Sequence, residues 1–532
     1  MNGRRSIKVF SGAFLLMIAV IFAGGRVTAA ESGKTVTIAM TSAWDTFLPI
    51  NSSSNYSRLI YGQIYSRLAA GRIDGSYVPD LADSWEVSEG STEVTFKLNR
   101  NVRWHDGVPL TADDVVYTFQ LYSNPKLDAL SRYMLQYIAG ADDSGAELSP
   151  GSIGVKAADD YTVVVTLKSP MFYETLLNDL SDVFIVPKHI YEGKTIEELN
   201  SPAAWEKTPV GSGPFKYADK IDGERVEFTA NKDYFRGAPD FDRLVVRIIP
   251  GTNLLAGLIS GEVDILAGGG LGSVLLDDWE LAKHQPNLVT ESLPTSNYQT
   301  LVINTQKEYF TEPARQAISK AINRKVIVES LLKGEGEAVI TPITPLSRYF
   351  DDSVEIWYDP AEAEKILRDE KFPFDRELVF LVPTGNTMRE RAAALVEQDL
   401  ERIGLKVRIQ LVDFTTLMDS MLKGQHDFGI IGSGNSSDPS ESRQMIQPGN
   451  SVNFALLTDP ELADICDEGN AALTYEERLP HFKKYQRRIR DITPMAYLYT
   501  TNALMAYNKR LSRVNPVNYL TLYWPTWEWR VD

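Results

Sequence analysis

Cysteine is almost missing from this chain: Cys466 is the only one in 532 residues. An intrachain disulfide scaffold is excluded, and so is any zinc or iron–sulfur site built on several cysteines. Positive charge is also scarce. Lys and Arg number 54 against 71 Asp and Glu, a formal net charge of −17. Such a chain lacks the cationic footprint of a general phosphate-backbone binder, so no nucleic-acid partner is expected. Histidine is rare and scattered. His105, His189, His284, His426 and His481 show no metal-ligand spacing, so neither a metal nor a cofactor is expected. A mean hydropathy of −0.20 with one long apolar run excludes a multi-span membrane protein. The P-loop, the GxSxG elbow and the HExxH zinc motif are all absent. Gly268-Gly269-Gly270 lacks the GxGxxG spacing and reads as a flexible loop. Carboxylate pairs such as Asp113-Asp114 and Asp351-Asp352 read as caps and solvated faces, so no catalytic residue is assigned.

The one apolar run is informative. Arg4, Arg5 and Lys8 precede an uncharged stretch from Val9 to Ala23, and Val27-Thr28-Ala29-Ala30 follows. A basic start, a short apolar middle and small residues at −3 and −1 form the secretory signal-peptide pattern. The run is about 15 residues, short of the roughly 20 that span a bilayer. Residues 1–30 are therefore expected to be a signal peptide cleaved near Ala29 or Ala30. No cysteine follows, so a lipid anchor is not expected. The expected product is a periplasmic, acidic chain of about 500 residues, enough for two to four domains.

Periodicity predicts mixed helices and strands throughout. Strands are expected at Lys34–Met40, Ser84–Val87, Glu93–Leu98, Tyr161–Leu167, Arg243–Ile249 and Val263–Ile265. Helices are expected at Tyr56–Leu68, after Thr111 with Asp114 in a capping-box position, and at Asn253–Ser260 with Gly261 beyond it. Thr311–Leu332 reads as one amphipathic helix, with Pro313 in its first turn and Gly334 past its end. Glu377–Val382, Met388–Ile403 and Leu405–Val412 read β-α-β, which implies a parallel strand pair. Val210-Gly211-Ser212-Gly213-Pro214-Phe215 reads as a tight connection.

What remains is a binding-protein profile. Nine Trp, 24 Tyr and 21 Phe supply flat apolar surface for a pocket. Trp44, Tyr56 and the terminal Trp524, Trp527 and Trp529 are candidates. The strand Asp427–Ile431 runs into the small, polar loop Gly432–Pro439. Loops at strand C-termini of α/β sheets are where ligands bind, so Gly434, Asn435 and Asp438 join Trp44, Tyr56 and Trp524 as candidate ligand residues.

Residues 65–119 carry Pro79-Asp80-Leu81-Ala82, Ser84-Trp85-Glu86, Phe96-Lys97-Leu98, Val102-Arg103-Trp104-His105-Asp106-Gly107 and Leu110-Thr111-Ala112-Asp113-Asp114-Val115. Further on come the Val210–Phe215 block, Asn231-Lys232-Asp233-Tyr234-Phe235-Arg236-Gly237, Ser260-Gly261-Glu262-Val263-Asp264-Ile265 and Ala314-Arg315-Gln316-Ala317-Ile318. In this order the blocks resemble the bacterial extracellular solute-binding proteins of family 5, the dipeptide, oligopeptide and nickel receptors of ABC importers. The resemblance covers essentially the whole mature chain.

The resemblance implies an α/β, two-lobed periplasmic-binding-protein (Venus-flytrap) fold with mixed sheets, a hinge and an inserted subdomain. Lobe one would be 31–75, 208–296 and 498–532. The inserted subdomain would be 76–207 and lobe two 297–497. It implies a monomeric receptor that does no chemistry, closes on its ligand and docks on ABC permease membrane subunits served by a cytoplasmic ATPase. His105-Asp106-Gly107 would then be a structural turn. In peptide receptors of the family an Asp in the loop matching 432–439 pairs with the ligand's α-amino group. Here Asn435 stands nearest that position, with Asp438 three residues later. Dipeptide receptors also hold the carboxylate with an Arg upstream of the helix near Met388, where this chain has Pro383-Thr384-Gly385-Asn386. A buried terminus without a partner is costly, so free dipeptides are disfavoured. An oligopeptide or related oligomeric solute is the leading ligand class and an oligosaccharide the runner-up. Nickel is disfavoured for want of a histidine cluster. From other classes, an exported hydrolase with two carboxylates and a periplasmic chaperone or sensor domain are carried as rivals.

Overall fold

The computed structural model describes residues 33–52, 54–72, 75–201, 209–434, 438–514 and 525–532. The signal-peptide reading of 1–30 lies outside these residues, as do Asn435 and Trp524.

Two sheets anchor two bodies. The first has seven strands in the order Leu288–Leu293, Ala503–Asn508, Ile265–Leu266, Thr35–Met40, Arg243–Ile248, Arg225–Ala230, Phe215–Ile221. Thr35–Met40 is parallel to both its neighbours and the outer pairs are antiparallel. The second has five strands in the order Lys406–Val412, Glu377–Pro383, Phe428–Gly434, Asn297–Ile303, Met495–Thr500. Glu377–Pro383 and Lys406–Val412 run parallel with Thr387–Arg402 crossing between them, as the β-α-β reading requires.

Period-two patterning explains why the five-stranded sheet is covered on both faces. Leu301 and Ile303 pack with Leu378, Phe380, Phe428 and Ile430 under the helices Glu312–Ala321 and Thr387–Arg402. Their alternates Tyr298, Val302, Leu381 and Ile431 face Phe414–Leu422, Pro460–Ala471 and Tyr475–Ile492. A four-stranded antiparallel sheet, Ala82–Val87, Glu93–Leu98, Thr162–Thr166, Val155–Asp159, lies within 76–207. Its Val94, Phe96, Val163 and Val165 share one apolar core with Val36, Ile38, Val226 and Leu244 of the seven-stranded sheet.

The chain passes between the bodies twice, side by side. Leu288–Leu293 runs on into Asn297–Ile303 through 294–296, and Met495–Thr500 into Ala503–Asn508 through 501–502. Thr295 Oγ1 donates to Thr501 O at 2.7 Å, and Asn502 Nδ2 to Ser292 Oγ at 2.8 Å, tying the two connectors together.

Four expectations change. The expected strand Asp427–Ile431 is Phe428–Gly434, so the first three residues of the expected loop Gly432–Pro439 continue the strand, where Gln299, Tyr298 and Asn297 pair with them. The helix expected over Tyr56–Leu68 is Asn55–Ile64. It stops because Gly213 N–H donates to Ile64 O at 2.7 Å, and Tyr65 turns extended. That contact explains two glycines of the 210–215 block. A Cβ at Gly211 would stand 1.9 Å from Ile64 O, and one at Gly213 2.6 Å from Gln63 O. The single helix expected over Thr311–Leu332 is broken. Glu312–Ala321 ends at an extended Ile322, and Asn323 caps a new turn by accepting from Val326 N at 3.1 Å. The triglycine read as a flexible loop forms a turn, Gly269–Leu271, closed by a Gly268–Gly272 bridge.

Candidate functional site

A cavity of about 390 Å³ opens where the bodies meet. The helix Asn55–Ile64 contributes Asn55, Arg58, Leu59 and Gln63, and the turn Gly269–Leu271 forms one rim. The hinge supplies Thr295, Ser296, Asn297 and Ala503. Residues within 76–207 add Tyr133, Met134, Asn178, Asp179 and Asp182, and Glu441 enters from the five-stranded body. The cavity is thus bordered by both bodies and by the hinge.

The charged lining is strongly constrained. Arg58 pairs with Asp182 at 3.2 Å. Arg67 donates to Ser181 O at 2.8 Å, and its backbone N–H donates to Asp80. Burial pushes the Asp80 carboxyl up, against the pull of Arg67 and Arg236. Burial pushes the Asp179 carboxyl well above the usual range, and the neighbouring charge of Glu441 adds to it.

A second junction joins the bodies through the helix that carries Asp179, Tyr173–Leu180. Arg478 is fully buried on the helix Tyr475–Ile492 and pairs with Asp438 at 2.7 Å. It also meets Ser440 Oγ at 2.7 Å, and Thr175 Oγ1 at 3.2 Å from the helix Tyr173–Leu180. Thr175 in turn donates to Asp438, and Glu174 pairs with Arg348. Phe172 stacks under Arg478 at 4.8 Å. Charge, hydroxyl and ring thus cross from the 76–207 region to the five-stranded body.

The sequence candidates are spread around these features. Trp44 is half-buried beside Phe47, with ring centroids 6.0 Å apart, and is not among the cavity-lining residues. Tyr56 hydroxyl donates to Gly270 O at 3.1 Å and meets Thr41 Oγ1 at 3.0 Å, so it braces the rim turn from behind. Gly434 is exposed at the end of its strand, opposite Asn297. Gly434 and Asp438 line a separate cavity of about 280 Å³ with Tyr298, Phe414, Met418 and Met445. Asp438 accepts from Ser440 N at 2.9 Å, so its carboxylate is already committed to local order.

Sequence reasoning missed Arg58, Asp179, Asp182 and Glu441, which look like ordinary polar residues. One signal was available: Asp179 stands in the last turn of its helix, where the dipole disfavours negative charge. Arg389 was also missed. It lies in the first turn of Thr387–Arg402, just past the stretch without an Arg, and its Nε donates to Gln299 Oε1 at 2.8 Å.

The His105 turn is structural. Nδ1 accepts from Gly211 N–H at 3.2 Å and Nε2 meets Gly213 O at 3.1 Å, which fixes the tautomer with its proton on Nε2. Burial lowers its pKa to about 4, so the ring stays neutral. Among the described residues no group of His, Cys, Asp and Glu could hold a metal ion, and no helix is long and apolar enough to cross a membrane.

Residues 76–453 match the family described as bacterial extracellular solute-binding proteins, family 5 Middle. Over 490 residues the chain is 27% identical to the oligopeptide-binding protein AppA of Bacillus subtilis, covering 87% of this chain and 86% of the relative. The fold is similar to the ABC transporter substrate-binding protein CtaP of Listeria monocytogenes. The TM-score is 0.82 at 24% identity, over 94% of this chain and 99% of that one. It is similar also to AppA of B. subtilis in complex with a nonapeptide, with TM-score 0.71 at 23% identity over 94% and 99%. With two bodies, a two-connector hinge and a cavity between them, this chain belongs to the bacterial extracellular solute-binding proteins of family 5.

Proposed function

We propose that the protein is the peptide-class receptor of an ABC importer, capturing an oligopeptide or related oligomeric solute between its two lobes. The observation that carries this reading is the cavity bounded by both bodies and the hinge in a chain of this family. The similarity to an oligopeptide-binding relative across most of both chains supports the peptide class. We take 31–75, 208–296 and 498–532 as lobe one, 76–207 as the inserted subdomain and 297–497 as lobe two. The exported chain works as a monomer in the periplasm after cleavage near Ala29 or Ala30. It performs no chemistry, and its closed form docks on permease subunits driven by a cytoplasmic ATPase. Closure follows from differential affinity, because a ligand touching both lobes favours the closed state. Gly434 and Asn435 are proposed as ligand-facing. Asp438 is proposed to order the start of the segment Pro439–Ile446. Tyr56, Trp44 and Trp524 are proposed as its aromatic surroundings.

A thermal-shift screen tests this with di- to pentapeptides, cello-, xylo-, manno- and chito-oligosaccharides, and nickel. A ligand at 100 times its dissociation constant should stabilise the native state by roughly 2.7 kcal/mol. Stabilisation by peptides alone is expected. Stabilisation by sugars alone overturns the peptide class, and turnover of any candidate overturns the receptor reading.

A further inference from the structure

Four carboxylates and two guanidinium groups line the cavity between the bodies: Asp80, Asp179, Asp182 and Glu441 against Arg58 and Arg67. The two cations are spoken for, Arg58 by Asp182 and Arg67 beside Asp80. Asp179 and Glu441 are the other two carboxylates. The Asp179 carboxylate has one hydrogen bond among the described residues, from Asn178 Nδ2 at 3.4 Å to Oδ1. Its Oδ2 is buried and meets no donor, and neither does Asp182 Oδ1. A carboxylate enclosed in this way is expensive unless a positive partner arrives. The surroundings raise the cost. Asp179 sits in the last turn of Tyr173–Leu180, at the negative end of the helix. Glu441, on the segment Pro439–Ile446 of the other body, presses on it with like charge.

We propose that this wall receives an organic cation of the ligand, a guanidinium or alkylammonium group, clasped between Asp179 of one body and Glu441 of the other. The inference rests on the receptor reading above. It adds that ligand charge and lobe closure are one event. Without a cation, closure forces two carboxylates of opposite lobes together. With one, the same approach becomes attractive.

The test uses the full exported chain and Asp179→Asn, which keeps the shape and removes the charge. The probes are pentapeptides of alanine with one arginine at successive positions and the same series with citrulline, a neutral near-isostere. Both series are prepared with free and acetylated N-termini, and agmatine is the non-peptide probe. Titration calorimetry should show at least tenfold tighter binding for one arginine peptide than for its citrulline counterpart. Asp179→Asn should erase the difference while melting no lower than the parent. If acetylation rather than citrulline weakens binding, the wall reads the peptide's terminus, as the family resemblance already implies, and the inference of a side-chain cation is overturned. Peptides that bind without regard to charge, with Asp179→Asn unchanged, would overturn the inference and leave the peptide reading intact. Agmatine binding lost in Asp179→Asn, with no peptide bound, would uphold the cation site and overturn the peptide reading. No binding of either probe overturns both.

Discussion

At the scale of single residues, the Gly/Pro punctuation of the 210–215 block serves backbone contact. Gly213 is needed because Gln63 O and Ile64 O lie where a side chain would go. Gly213→Ala should therefore lower the denaturation midpoint sharply and disturb the helix end at Ile64, which amide exchange of residues 60–66 would report. The His105 turn was legible because its Asp-Gly step is a turn signal, and Gly107 does take φ +93°. The partner of Asp438 was not legible. Arg478 stands 40 residues away, and although it continues the buried stripe Phe482, Tyr485, Ile489, Ile492 of its helix, no local pattern names its partner. Asp438→Asn leaves that guanidinium enclosed without its charge partner. Losing one member of a buried pair costs about 3–5 kcal/mol, which equilibrium unfolding would measure. His426 gives a pH signature. It is 2% exposed, and burial lowers its pKa from 6.5 to about 4. The native state then binds fewer protons than the unfolded chain across that interval. Stability is full above pH 6.5 and falls as pH drops towards 4, by about 3 kcal/mol from this group. His426→Phe should flatten the unfolding curve over that window.

At the scale of elements, strands were easier to read than helix ends. Alternation in Glu93–Leu98 and the apolar run Asp427–Ile431 survive into the structure because each residue's face is set locally, although the second strand runs on to Gly434. The break inside Thr311–Leu332 was hidden because Ile318, Ile322 and Ile327 all stay buried, so the apolar stripe continues across it. What breaks the helix is long-range. Asp399 Oδ2 accepts from Asn323 N–H at 2.8 Å. Arg324 turns inward to donate to Tyr497 O at 2.6 Å and to Ser319 O at 2.9 Å. Among the described residues no carboxylate pairs with it, and burial lowers its pKa to about 10. Arg324→Met would fill much of the same space and strip the carbonyls of their donors. Each buried polar group so orphaned costs about 1–3 kcal/mol. The denaturant midpoint should fall, and Arg324→Lys should fall less.

At the scale of the whole molecule, the two-lobe plan could be inferred from ordered motifs along the chain, whereas the cavity wall could not. Asp179 and Glu441 are joined only by the docking of two bodies, and no spacing in sequence encodes that approach. The contacts that set it include Thr175 to Asp438 and Arg478, Phe172 under Arg478, and Glu174 to Arg348. A double variant, Thr175→Val with Arg348→Ala, should leave each body folded but shift the population towards the open form. Small-angle scattering would show a larger radius of gyration. Apparent ligand affinity should drop by the fraction of closed form lost. The hinge has a separate consequence. Its two connectors are tied neighbours, and Glu335 of the five-stranded body binds both Trp279 and Ser292 of the other body beside them. Everything from 297 to 500 thus enters and leaves through one doorway. Such a segment can be excised, labelled on its own, or exchanged for a relative's counterpart with two adjacent splices. Such an exchange replaces Asn297 and Glu441 in the cavity wall and leaves Arg58, Asp179 and Asp182 in place, so the contribution of each body to specificity can be read separately.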